Sequence, residues 1–72
     1  MLRVTLFDHL AEAERHVEAG GAIVASQREI IAELTRDGRD ATQANELLMR
    51  LERLQVMHVA DRDQFRRELG IR

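Results

Sequence analysis

From Leu6 onward the core-facing positions recur in alternating steps of four and three: Leu6, Leu10, Ala13, Val17, Gly20, Val24, Gln27, Ile31 and Leu34. The phase holds through Gly20 and Gln27, although neither is a large apolar residue. A seam of this period marks a helix that packs lengthwise against another helix. Thr5 stands before the series as an N-cap, with Asp8 as the acid of the first turn, so the first helix is expected over about 5–37. Gly38 suits the left-handed conformation that ends helices. Asp40 is placed to cap a second helix, with Gln43 as its capping-box-like partner.

The second helix is expected over about 41–69. Its seam reads Ala44, Leu47 or Leu48, Leu51, Leu54 or Gln55, His58, Asp61 or Arg62, Phe65 and Leu69, and Gly70 is its stop. At the two ambiguous apolar steps Leu47 and Leu54 are taken. A turn confined to 38–40 forces the helices to be antiparallel neighbours. The expected fold is therefore an all-α antiparallel two-helix hairpin, a single domain over 1–72.

Folding at the turn pairs Leu34 with Ala44, Ile31 with Leu47, Gln27 with Leu51 and Val24 with Leu54. Gly20 then meets His58 and Ala13 meets Phe65, small against large, as interdigitating layers require. The same register sets Glu12 beside Arg66 and Arg15 beside Asp63. It also lays an acidic start (Asp8, Glu12, Glu14, Glu18) along a basic end (Arg62, Arg66, Arg67, Arg72).

Phe7, Ile23, Ile30, Val56 and Val59 fall off the seam. A lone hairpin would leave them wet. A second hairpin laid on that stripe would bury them, so the expected assembly is a homodimer forming a four-helix bundle. A different protein, or a higher oligomer of the same chain, is the alternative.

Composition sharpens this expectation. A chain of 72 residues rarely buries enough apolar surface to stand alone without staples. It has no cysteine, so disulfides and thiolate metal sites are excluded. It has no proline, and its only aromatic rings besides the histidines are Phe7 and Phe65. Every one of its basic side chains is arginine. The net charge of -2 argues against a sequence-independent nucleic-acid binder, which needs a basic face. No apolar run approaches the ~20 residues that span a bilayer. The start, Met1 to Phe7, is cut short by Asp8 and does not read as a signal peptide. A soluble cytoplasmic protein is expected.

The candidate chemistry is sparse. Gly20-Gly21 in mid-helix costs about 2 kcal/mol relative to alanine. Because the heptad phase continues through the pair, close helix packing or a mild kink is expected there rather than a chain reversal. His9 and His16 lie one heptad apart, and His58 faces them across the seam. Glu12 and Asp61 flank His16 and His58, so these four residues are the candidate ligands for a divalent metal. They lack the Glu-x-x-His spacing of di-iron bundles, and no resident cofactor is expected. The polar seam residues Gln27, Gln55 and His58 are read as devices that fix register or oligomer state. The hydroxyls are Ser26, Thr5, Thr35 and Thr42. The threonines lie at helix ends and Ser26 has no histidine near it in this register, and no enzyme is expected. The run Arg62-Asp63-Gln64-Phe65-Arg66-Arg67 could face nucleic acid, but its interleaved acids favour a solvated helix end.

The stretch from His9 to Leu69 resembles the small, arginine-rich, lysine-poor helical-hairpin proteins of GC-rich proteobacteria. The resemblance rests on QREIIAEL (27–34) and RDGRDATQANELLMRLERLQVMHVADRD (36–63). It implies a helical hairpin, carries no catalytic motif, and points to no substrate. The functional expectation is a non-enzymatic, self-associating interaction or regulatory module. The alternatives are a metal-binding bundle using His16 and His58, and a nucleic-acid-associated regulator acting through the arginine-rich end.

Overall fold

The structure is a computed structural model that describes residues 2–71; Met1 and Arg72 lie outside the described residues. Two helices, α1 (Leu2–Arg36) and α2 (Thr42–Leu69), pack along their length as an antiparallel hairpin. The hairpin is a rod of 55 × 17 × 14 Å. Among the described residues no helix is long and apolar enough to cross a membrane.

Both helices end in the same way. Gly38 takes φ 69°, its N–H donates to the Thr35 carbonyl at 3.1 Å, and the Arg39 N–H donates to the Leu34 carbonyl at 2.8 Å. Gly70 takes φ 74°, and the Gly70 and Ile71 N–H groups return to Arg67 and Arg66 at 3.1 and 2.7 Å. These are Schellman closures, which glycine permits because it carries no Cβ to clash at positive φ.

The helix starts differ from expectation. α1 begins at Leu2, so Thr5 lies inside its first turns and is not the cap. A long-range contact anchors this extension: the Arg3 guanidinium donates to the Leu69 carbonyl at 3.5 Å and lies over the Phe7 ring at 5.7 Å. In α2 the Asp40 carboxylate accepts from the Thr42 amide at 2.9 Å and the Thr42 hydroxyl at 2.6 Å. The N-cap position falls on Ala41, which makes no side-chain cap bond, so Asp40 stands one residue earlier than expected and still satisfies an orphan donor of the first turn. The Gln43 side chain returns no bond, so there is no reciprocal box, and Asn45 instead binds the Ala41 carbonyl through both its amide and its side chain.

In α1 every described residue that is not exposed falls on the series from Leu6 to Leu34. In α2 the matching line is Ala44, Leu48, Leu51, Gln55, His58, Arg62, Phe65 and Leu69. Leu47 and Leu54 are not on it; they stand 44% and 48% exposed at the seam's edge. Strict alternation of three and four selects Leu48 and Gln55, and helix geometry overrides the greater apolarity of Leu54 over Gln55.

Candidate functional site

The centre of the hairpin is built around Gly20. A Cβ there would overlap the Gln55 carboxamide oxygen, and would lie 3.4 Å from the His58 ring. Gly20 therefore faces a hollow framed by Leu51, Leu54, Gln55 and His58 rather than meeting His58 alone. The expected head-on pairing is replaced by an interlocked one, in which residues of one helix seat between residues of the other.

Gln55 uses the space. Its Nε2 donates to the Val17 carbonyl at 2.8 Å, while its Oε1 is buried without a hydrogen-bond partner. Gln27 makes the reverse connection from α1, donating to the Ala44 carbonyl at 2.9 Å while only 7% exposed. Each glutamine ties its helix to the other helix's main chain. The bonds form only at one register, since a slip would carry the donors past these carbonyls.

The remaining seam positions line up around this pair. Leu10, Ala13, Val24 and Leu69 are buried, and Val17, Ile31, Leu34, Leu51, His58 and Phe65 are half-buried. Phe65 stacks on His9 with centroids 5.5 Å apart, beside Ala13. The off-seam residues do not form the single stripe expected of them. Ile23 shares a cavity with Leu54, and heptad spacing places Ile30 and Leu47 on that same side. Val56 lies on the other side, beside Arg28 and Glu52. Phe7 and Val59 fall there too, each one heptad from a member of the Glu14–Arg66 pair.

The two sides differ in character. Among the described residues, one carries both cross-helix ion pairs, Arg28–Glu52 at 3.0 Å and Glu14–Arg66 at 3.4 Å. The other holds a cavity of about 120 Å³, lined by His16, Ala19, Gly20, Ile23, Leu51, Leu54, Gln55 and His58. Neither carboxylate nor guanidinium lines it.

The candidate metal ligands are divided. His16 and His58 are in ring contact, with centroids 5.3 Å apart and planes tilted by 48°. His58 borders the central cavity, whereas Glu12 and Asp61 border a separate hollow toward the open end, together with His9 and Phe65. His16 touches both hollows, and its Nε2 lies 4.0 Å from Glu12 Oε1. Among the described residues no three His, Asp or Glu side chains come together as a metal site would require.

At the arginine-rich end the expected pairs are replaced by others. Arg66 binds Glu14 rather than Glu12, and Asp63 binds its neighbour Arg62 at 3.0 Å rather than Arg15. Arg62 and Arg66 are thereby engaged by carboxylates of the same chain. Comparison with known protein families, curated proteins and solved structures finds no match to this chain.

Proposed function

We propose that the chain is a non-enzymatic helical hairpin whose working form is an association with a second copy of itself. The resulting four-helix bundle serves as a protein-interaction or small regulatory module in the cytoplasm. One observation carries this reading: the isolated hairpin has too little interior for its mass. No described side chain is fully buried, and the chain exposes 5615 Å² at 8.3 kDa. A compact monomer of that mass exposes roughly 4600 Å². The excess, about 1000 Å², is close to the ~800 Å² that each partner contributes to an ordinary protein interface.

The polar seam supports the reading. Gln27 and Gln55 fix one register within the hairpin, and a fixed register presents the same outer surface in every copy. Thermal unfolding followed by circular dichroism at several protein concentrations tests the proposal. Mass action makes the midpoint of a dimer climb with concentration, and a midpoint that does not move would overturn it.

A further inference from the structure

The side that meets the second copy can be named, and the naming rests on the self-association reading above. We infer that two hairpins pack through the turn-proximal half of the cavity side, where Ile23 and Leu54 line the hollow beside Gly20 and Ile30 and Leu47 stand one heptad nearer the turn. The ion-paired side faces water.

Three observations select this surface. The first is charge. Interface cores are depleted of charged groups, and both cross-helix ion pairs, Arg28–Glu52 and Glu14–Arg66, lie on the opposite side. The second is the pairing of protrusion with hollow. Ile23, Ile30, Leu47 and Leu54 are each 44–52% exposed: half their surface already rests on the hairpin, and the other half stands out as a ridge. The cavity beside Ile23 and Leu54 is bounded by Gly20, whose missing side chain is replaced by the Gln55 carboxamide. A ridge of aliphatic side chains next to a hollow lined by Ala19, Leu51 and Leu54 as well as by uncharged polar groups is the complementary relief that two copies need to interdigitate. The third is extent. The excess surface of this chain matches one side of a standard interface, so one face suffices and the ion-paired face need not be buried.

The patch also has a boundary. Beyond Gly20 toward the open end, the same side carries His16, His9 and Asp61 in place of isoleucine and leucine. Apolar surface meets apolar surface only if the turn-proximal halves of the two copies overlap. A second copy accounts for the patch because one chain supplies both the ridge and the hollow, as a two-fold interface requires.

Two neighbouring positions on α2 test the assignment. Leu54 lies on the proposed interface. Val56, 68% exposed, lies on the ion-paired side. Sedimentation equilibrium on the whole chain should give a dimer for the wild type and for Val56→Glu. Leu54→Glu, which would bury an unpaired carboxylate, should weaken association by roughly tenfold or more. Should Leu54→Glu lose its helicity, Leu54→Cys and Val56→Cys replace it, since the parent chain is free of cysteine. Alkylation of the Leu54→Cys thiol should slow as protein concentration rises, while that of Val56→Cys stays constant. A dimer in which Val56 is the sensitive or protected position, or in which the two positions behave alike, overturns the choice of face. A wild-type chain that stays monomeric overturns the self-association reading itself.

Discussion

The carboxamide of Gln55 lies over the bare Cα of Gly20, in the space a side chain there would claim, and binds the Val17 carbonyl from that position. This relationship explains why a glycine is tolerated in the middle of a long helix, and it separates the two adjacent glycines. At Gly21 a Cβ would meet only ordinary contact, 3.8 Å from Gln55 Nε2. Gly21→Ala should therefore stabilise the fold by up to about 1 kcal/mol through helix propensity. Gly20→Ala should gain less, because Gln55 must swing away and give up its bond to Val17. Chemical denaturation of the two variants, with Gly20→Ala repeated in a Gln55→Ala background, measures the coupling. Equal effects at the two glycines would contradict the packing described.

Gln27 offers a test of register control. Gln27→Leu places an aliphatic side chain at a buried seam position, and the Ala44 carbonyl remains within α2, where the helical ladder supplies its partner. The variant should be more stable by roughly 1 kcal/mol. It should also lose uniqueness, populating more than one assembly in native mass spectrometry. A variant that is less stable yet still a single species would show that the Gln27–Ala44 bond acts as a stabiliser instead.

The exposed ion pairs should matter little. Arg28 and Glu52 meet at 3.0 Å with both side chains well exposed. Glu52→Gln should change the denaturation free energy by less than about 1 kcal/mol, and less again at high salt. A larger loss would mean that this side is buried in the working assembly, against the face assigned above.

Acid should weaken the start of α2 in a defined direction. The Thr42 hydroxyl, and after it the Thr42 amide, hold the Asp40 carboxyl below its usual value of 3.8. A carboxyl with a lowered folded-state pKa contributes stability that is fully present above its unfolded value. That contribution fades as pH falls through the folded one. The stability difference between wild type and Asp40→Ala should therefore be constant near neutrality and shrink in acid below the usual carboxylate range. A difference that grows in acid would contradict this role for Asp40.

Much of the fold was legible because α1 keeps one phase from Leu6 to Leu34, and burial follows that line residue by residue. Gly38 and Gly70 marked both helix ends for a local reason, the positive φ that each adopts. α2 was harder to read. Leu47 and Leu48, like Leu54 and Gln55, are adjacent. Choosing the more apolar of Leu54 and Gln55 put the wrong residue in the seam, where continuity of phase would have chosen Gln55. The start of α1 was missed because its anchor, Arg3 on the Leu69 carbonyl, joins the two ends of the chain and leaves no local signal. The sequence asked for space at Gly20 but assigned it to His58. Seating Gln55 there depends on the offset of half a layer by which helices interlock, which residue type does not report. Phe7 and Ile23 lie on opposite flanks of the α1 seam, as its heptad already implies, whereas the faces of Val56 and Leu54 followed only once the true α2 seam was known.

The central claim is that this hairpin works as a pair, and its mass in solution tests that most directly. Sedimentation equilibrium across a range of micromolar concentrations should give twice the 8.3 kDa chain mass, falling toward the monomer on dilution. A mass that stays at 8.3 kDa throughout, in a chain still helical and cooperatively folded, would contradict the account.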